Sequence, residues 1–371
     1  MITQWPEKKL GFGLMRLPKD AGGAIDHQQV CKMADAYLSG GFTYFDTAYV
    51  YGGSEEAFRK AVVERHPRES FTVASKLAAW ELREDYGPAD MFQESLDRCG
   101  ITYFDYYLLH SLQESNIRRY TDDVWAFARR MKEEGKIRHL GFSFHGGPEL
   151  LEQLLTEHPD VEFVQLQINY VDWDNDVIAS RRNYEVCRKF DKDIIVMEPV
   201  KGGLLASLKP QARACLDACD PGASSAAFAL RFAASLPGVK VVLSGMSDQE
   251  QLEDNISVFR DFRPLSQQEE EAVRAAGSII LSTPTIPCTA CRYCEKGCPK
   301  GIHIPDIFKY DNMLEVFGEH FRPHGLYSTL VEQGGGRAGD CIQCGQCEAA
   351  CPQHINIIES LAKASERLDK Q

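Results

Sequence analysis

Residues 43–76 read TYFDTAYVYGGSEEAFRKAVVERHPRESFTVASK. Thr43 to Thr47 is a β-rich run, Glu55 to Glu64 carries apolar residues at helical spacing, and Phe71 to Lys76 is β-rich again, so the stretch predicts strand, helix, strand. The same alternation extends in both directions. Leu10 to Leu14, Phe104 to His110, His139 to Phe144, Phe163 to Ile168, Asp193 to Met197 and Lys240 to Ser244 bring the strand-like runs to eight. Between them lie helical patterns at Ala89 to Cys99, Asp122 to Glu134, Pro148 to Glu157, Asp176 to Phe190, Ala223 to Ala234 and Asp248 to Val258. Such alternation implies an α/β protein with a parallel sheet and helices outside it, and eight units close into a (β/α)8 TIM barrel of about 250 residues. The competing doubly wound sheet would need a glycine-rich dinucleotide fingerprint after its first strand, and none follows Leu14.

The chain has 371 residues, with 41 Lys and Arg against 54 Asp and Glu, for a formal charge of −13. An acidic surface is the wrong sign for following a phosphate backbone, so nucleic acid is excluded as a partner. No apolar run approaches the ~20 residues that span a bilayer, and Met1 to Leu10, with Glu7, Lys8 and Lys9 inside it, does not read as a signal peptide. A cytoplasmic location with no membrane contact is expected. Ser266 and Glu269 form a capping box ahead of a helix to about Leu281, which Ser282 to Pro287 interrupts. This places a domain boundary between 1–281 and 282–371. Beyond it come a helix at Pro305 to Phe317, a loose segment with Gly334, Gly335 and Gly336, and a last helix from Ile357 to Leu368.

Of 13 cysteines, eight lie between Cys288 and Cys351. An odd total without an export signal argues against a disulfide framework and for metal. Cys288, Cys291, Cys294 and Cys298 precede Pro299, and Cys341, Cys344, Cys347 and Cys351 precede Pro352. Both runs are C-x2-C-x2-C-x3-C-P, in which three cysteines hold one cubane and the fourth reaches the other. That assigns Cys288, Cys291, Cys294 and Cys351 to one [4Fe–4S] cluster and Cys341, Cys344, Cys347 and Cys298 to a second. Structural zinc would favour separated C-x2-C pairs. Such clusters either carry single electrons or fold a tail too small for its own core. The other five, Cys31, Cys99, Cys187, Cys215 and Cys219, read as core thiols.

In a (β/α)8 barrel, chemistry sits at the C-terminal strand ends. There the chain offers Asp46, Tyr51, Lys76 and His110. These are the parts of a carbonyl-reduction site: a tyrosine proton donor, a lysine to lower its pKa, a carboxylate to hold the lysine, and a histidine to orient the carbonyl. Trp80, Tyr86 and Trp173 follow strands and either line a substrate pocket or pack under loops.

Residues 9–258 resemble the aldo-keto reductase family in Leu10-Gly-Phe-Gly-Leu-Met-Arg-Leu-Pro18, Gly41-Phe-Thr-Tyr-Phe-Asp-Thr-Ala-Tyr-Val-Tyr-Gly52 with Ser54 and Glu55, Ser75-Lys76, Leu109-His110, Gly141-Phe-Ser143 and Asn255. With the cysteine tail, the whole chain resembles the prokaryotic members that carry a C-terminal 4Fe–4S dicluster domain, an α-helical ferredoxin-like module. The resemblance implies a catalytic tetrad of Asp46, Tyr51, Lys76 and His110. It implies contacts to the nicotinamide carboxamide from Ser143, Gln165 and Asn169, and to the rest of the dinucleotide from Gly13, Met15, Arg16, Ser244, Gly245 and Asn255.

Two departures matter. Met197-Glu198-Pro199 stands where many relatives place an aromatic residue against the nicotinamide, and Ser244 to Asn255 holds Asp248, Glu250 and Glu253 but no base. A 2′-phosphate wants a guanidinium or ammonium there, so NAD(H) is favoured over NADP(H). The expected substrate is a small carbonyl or alcohol, and the expected partner of the clusters is a ferredoxin-like protein or a flavoprotein. No flavin fingerprint is visible, although barrels can hold a flavin phosphate without one.

Overall fold

The computed structural model describes residue 2, residues 5–319 and residues 321–369. Met1, Thr3, Gln4, His320, Lys370 and Gln371, which include the expected start of the first domain and the expected end of the second, lie outside the described residues. The chain divides into two compact units, Met1–Val200 with Ala226–Glu270, and Lys201–Ser225 with Glu271–Gln371. Among the described residues no helix is long and apolar enough to cross a membrane.

The first unit is a closed parallel barrel in sequence order, β1 to β8. Its strands are β1 Leu10–Gly13, β2 Tyr44–Asp46, β3 Thr72–Leu77, β4 Phe104–Leu112, β5 Ile137–Phe144, β6 Phe163–Gln167, β7 Asp193–Met197 and β8 Val239–Ser244. Alternate side chains point inward. Tyr44, Ala74, Tyr106, Leu108, Phe163, Ile195, Val241 and Leu243 fill the interior, and the Trp5 ring stacks on Tyr106 with centroids 5.1 Å apart. So large a filling requires a gap opposite Phe163. Gly141 provides it, since a Cβ there would lie 2.6 Å from the Phe163 carbonyl oxygen.

The opposite strand faces pack against amphipathic helices. In the first unit these are α1 His27–Ser39, α2 Ser54–Phe58, α3 Pro88–Cys99, α4 Asp122–Glu133, α5 Pro148–Glu157, α6 Ser180–Lys189, α8 Ser225–Ser235 and α9 Gln249–Arg260; in chain order α7 Pro210–Asp217 falls in the second unit, and α10 Gln267–Ser282 starts in the first and ends in the second. The expected helix over Glu55 to Glu64 is α2 continued by one wide π-turn at Arg59–Val63. The helix expected from Asp176 begins only at Ser180. The Asn175 side chain accepts the backbone N–H groups of Val177 and Ile178, and Ala179 is left-handed at φ 52, so the chain turns locally before it coils.

The second unit contains α11 Ile304–Phe317, α12 Phe321–Glu332, α13 Gln346–Ala349 and α14 Ile357–Leu368. The segment expected to be loose between Phe317 and the second cysteine run thus contains α12, whose buried Tyr327 hydroxyl accepts the Ala338 N–H. Among the described residues of that segment, Gly318, Glu319 and the glycine run after Glu332 are irregular. α11 packs on α14, where Arg367 Nη2 reaches the buried Asp311 at 2.6 Å.

Candidate functional site

β2 and β3 pair in parallel with Asp46 opposite Ala74, which leaves Asp46 and Lys76 at the C-terminal ends of adjacent strands with both side chains inside. Lys76 is fully buried. Its Nζ donates to Asp46 Oδ1 at 2.5 Å and to the Thr47 carbonyl at 2.7 Å. The second carboxylate oxygen of Asp46 accepts from Gln165 Nε2 at 3.0 Å. Burial alone would lower Lys76, but the attraction of Asp46 and Tyr51 outweighs it and the amine is pushed above its ordinary value. Burial raises Asp46, with Lys76 and Gln165 pulling the other way.

Tyr51 sits half-buried on the loop after β2. That loop is pinned by Thr47 Oγ1 to Ser54 Oγ at 2.8 Å and by Ser54 Oγ to the Leu14 carbonyl at 3.0 Å. The Lys76 ammonium lies 5.0 Å from the centre of the Tyr51 ring. Burial pushes the phenol above its ordinary pKa, while Lys76 lowers it by charge and by a hydrogen bond.

His110 meets Tyr51 edge to face, ring centres 5.7 Å apart, and Trp80 at 5.3 Å. It owes its aim to an irregularity: the β4–β5 register shifts between Leu109 and Leu112, and Ser111 adopts φ 57. Bulges of this kind re-aim a side chain beside an active site. The Ser111 N–H donates to Ser143 Oγ at 2.6 Å, and the Tyr120 hydroxyl donates to the His110 carbonyl. Burial first, then the Lys76 charge and His145, hold His110 well below the usual histidine range. The imidazole is therefore neutral at pH 7, and its Nδ1 is buried without a partner.

The residues expected around a dinucleotide are arranged less uniformly. Ser143 and Gln165 line the same inner mouth as the tetrad, bonded to Ser111 and Asp46 as above. Asn169 instead builds a turn, its Oδ1 accepting from Val171 and Asp172 N–H and its Nδ2 donating to Asp172 at 2.8 Å. Asn255 Nδ2 donates to Ser244 Oγ at 2.8 Å, tying α9 to the end of β8. Asp248 caps α9 through the Gln251 N–H. Arg16 lies along Gly245, 3.5 Å from where a Cβ would stand, and pairs with Glu198 at 3.3 Å. Gly13 ends β1 beside the Ser244 carbonyl, and Met15 is exposed.

Of the aromatic candidates, Trp80 reaches the site; Tyr86 hydrogen-bonds Tyr49 and Glu94, and Trp173 packs on Tyr184 and Phe232. Two supports lacked a sequence signal, the Thr47 carbonyl and the Ser111 bulge; a third, in the stretch that carries the family resemblance, is the buried Glu55. The last accepts the Ser75 hydroxyl at 2.7 Å and faces Arg98 at 3.5 Å.

In the second unit the eight clustered cysteines fall into two groups. One cavity of about 320 Å³, part of it open to solvent, is lined by Cys288, Cys291, Cys294 and Cys351. Another of about 330 Å³ is lined by Cys298, Cys341, Cys344 and Cys347. The fourth cysteine of each run thus faces the other run's three. The backbone repeats as well. Ala290 and Gln343, Arg292 and Gly345, and Gly301 and His354 are all left-handed, at φ 55 and 58, 61 and 77, and 60 and 52. Each pair occupies the same offset in its cysteine run. Left-handed residues turn successive N–H groups into a concavity that accepts anionic sulfur, and four of these six are not glycine, a cost of ~1 kcal/mol or more apiece. Four thiols per cavity with such a cradle fit a [4Fe–4S] cluster.

Residues 9–277 match the family model described as Aldo/keto reductase family, and residues 287–356 match that of a 4Fe-4S dicluster domain. The L-galactose dehydrogenase of Arabidopsis thaliana is 22% identical over 280 residues, 70% of this chain and 87% of that protein. An aldo-keto reductase of Mycobacterium sp. (strain KMS) is 34% identical over 122 residues, 32% of this chain and 42% of that protein, so the shared stretch spans less than half of the mycobacterial relative. Among solved structures, the holo form of aldo-keto reductase AKR11C1 from Bacillus halodurans has a TM-score of 0.59 at 22% identity, covering 74% of this chain and 95% of that one. An aldo-keto reductase from Klebsiella pneumoniae in complex with NADPH has a TM-score of 0.59 at 20% identity, covering 74% and 94%. At these identities the structural likeness establishes the fold.

Proposed function

The chain belongs to the aldo/keto reductase family of oxidoreductases, and from that premise we propose that its barrel reversibly reduces a small ketone or aldehyde with Tyr51 as proton donor. The observation that carries this reading is the buried Lys76–Asp46 pair, 2.5 Å apart, with the ammonium 5.0 Å from the Tyr51 ring centre. A nicotinamide bound at the strand ends would supply the hydride. His110, neutral, orients the carbonyl oxygen by hydrogen bonding. The Tyr51 hydroxyl gives its proton to that oxygen as the alcohol forms, and the Lys76 charge stabilises the phenolate left behind. Asp46 keeps Lys76 charged inside a site where an isolated ammonium would discharge.

Ser143 Oγ and the Gln165 carbonyl oxygen suit a carboxamide. Gly13, Met15 and Arg16 would border the pyrophosphate, and Ser244, Gly245 and Asn255 the adenosine end. We take NADH as the preferred form, because Asp248 and Gln251 occupy the start of α9 and the nearby cation, Arg16, is paired with Glu198.

Two [4Fe–4S] clusters would carry single electrons to or from a ferredoxin-like or flavoprotein partner. Cys294 and Cys347 are also members of the second unit's small hydrophobic core, which favours a second role for the clusters in holding that unit folded. The reductase reading is tested with anaerobically purified protein, NADH and a panel of short-chain aldehydes and ketones. It expects alcohol formed mole for mole with NADH oxidised. No turnover with either NADH or NADPH on any carbonyl would overturn it.

A further inference from the structure

The second cysteine cavity differs from the first in what surrounds it. From Cys341 to Asn356 the chain carries one charged side chain, Glu348, and its carboxylate is occupied by the Ile358 N–H at 2.9 Å. The exposed residues of this stretch are Ile342, Gln343, Cys344, Gln346, Ala349, Ala350, Pro352, Gln353, His354 and Asn356, with Ile342 57% accessible. It is an uncharged, partly apolar surface over a cavity that Cys344 opens to solvent.

Cations stand beside it. Lys296 and Lys300 bracket Cys298, which lines this cavity together with Lys300. The segment that carries them touches the second run: a Cβ on Gly297 would lie 3.2 Å from Gln346 Oε1. Arg337 is held on the same side, because Gly336 pairs with Ile302 and its N–H donates to the Gly301 carbonyl at 3.0 Å. Gly336 permits this approach, since a Cβ there would lie 2.2 Å from the Lys300 carbonyl oxygen. Lys296, Lys300 and Arg337 are exposed, and neither lysine has an ion-pair partner among the described residues. An uncharged centre beside exposed lysines is how a protein interface that relies on electrostatic steering is built; Arg337, 3.9 Å from Asp369 and with its N–H on Asp340, is the partly compensated member of the rim, and the two lysines on a chain of charge −13 select for sign.

We propose that the surface formed by Ile342, Gln343, Cys344 and Gln346, rimmed by Lys296, Lys300 and Arg337, is the docking site of an acidic one-electron carrier protein, and that the cluster held by Cys298, Cys341, Cys344 and Cys347 is the point of electron exchange. This rests on the electron-carrying role proposed above. One electron passes from the reduced carrier to the oxidised cluster, or back; no bond is made or broken and no proton moves.

The test uses the full-length, cluster-loaded protein, a strongly acidic plant-type [2Fe–2S] ferredoxin, cationic cytochrome c and a viologen. Carrier binding is followed by calorimetry and cluster reduction by stopped flow, with rates expressed per loaded cluster and relative to the viologen. Ferredoxin should bind and exchange electrons, both weakening as salt rises, and K296E/K300E should lower its affinity and its relative rate at least tenfold. K296Q/K300Q should lie between, which separates loss of attraction from a damaged cluster. Unchanged ferredoxin binding and rate in both double variants would overturn the docking site and leave the electron-carrying role standing. If the clusters exchange with the viologen but with neither protein carrier, or faster with cytochrome c than with ferredoxin, the acidic partner is wrong. Clusters that dithionite cannot reduce would overturn the electron-carrying role itself.

Discussion

Asp46→Asn probes the inner pair of the site with little change of shape. The asparagine keeps an oxygen for Lys76, which also retains the Thr47 carbonyl at 2.7 Å, but it presents an NH2 to Gln165 Nε2, now 3.0 Å from a carboxylate oxygen. Two donors then face each other unless Gln165 turns its amide. The larger loss is charge. Lys76 is fully buried, and stranding one partner of a buried pair costs about 3–5 kcal/mol; the retained acceptors argue for the lower end, ~3 kcal/mol. For a unit of this size that is roughly 6–12 °C in Tm. The pH dependence identifies the cause. In the wild type the raised Lys76 contributes stability that is complete below the unfolded lysine value near 10.5 and is lost only above it. In the variant burial wins and the folded pKa drops below the unfolded one, so the deficit is greatest at neutral pH and shrinks as pH rises toward 10. With the cation discharged, carbonyl reduction should fall by about 10²-fold or more. Differential scanning fluorimetry from pH 6 to 10 beside steady-state assays measures both. A Tm within 2 °C of wild type at pH 7, or a deficit that does not change with pH, would refute the reasoning.

Other outcomes follow from the same geometry. Because His110 is held below its usual range and Tyr51 above its own, carbonyl reduction should stay level from about pH 6.5 to the ordinary tyrosine value of about 10 and fall only beyond it; an acidic limb near pH 6.5 would show that His110 titrates normally. Cys351→Ser should disturb the cluster of the first run: combining it with Cys288→Ser should cost no more iron than Cys351→Ser alone, while combining it with Cys341→Ser should cost about twice as much. The reverse pattern, counted by iron analysis and electron paramagnetic resonance, would mean that each run closes its own cluster. Fluorescence titration should give tighter binding of NADH than of NADPH; tighter NADPH binding that Arg16→Ala abolishes would transfer the 2′-phosphate to Arg16.

The alternation of strand and helix was readable because each strand is buried on both faces and each helix on one, so every element carried its own period. Pro148–Glu157, Asp193–Met197 and Ile357–Leu368 coincide with their expected bounds. That Asp46, Tyr51, Lys76 and His110 come together was readable for a related reason: they stand at or just after the C-terminal ends of β2, β3 and β4, where a parallel barrel gathers its side chains. What stayed hidden depends on partners distant in sequence or on local conformation. Gln165 meets Asp46 from 119 positions away. The aim of His110 depends on a left-handed Ser111, a residue type that gives no warning of it. α12 contains Pro323 and Gly325, both unfavourable inside a helix, although Pro323 falls in the first turn, where proline is tolerated.

The proposed reaction turns on Tyr51. The measurement that tests it most directly is single-turnover reduction of a carbonyl substrate by the anaerobic, cluster-loaded protein and its Tyr51→Phe variant, with nicotinamide affinity and cluster absorbance recorded on the same samples. The variant should bind nicotinamide within about twofold of wild type, keep its absorbance, and reduce the carbonyl at least 10²-fold more slowly, since a positioned proton donor contributes about 10²–10⁴. A rate within threefold of wild type would contradict the account, because the proton would then come from another group and the buried Lys76–Asp46 pair would have lost its purpose.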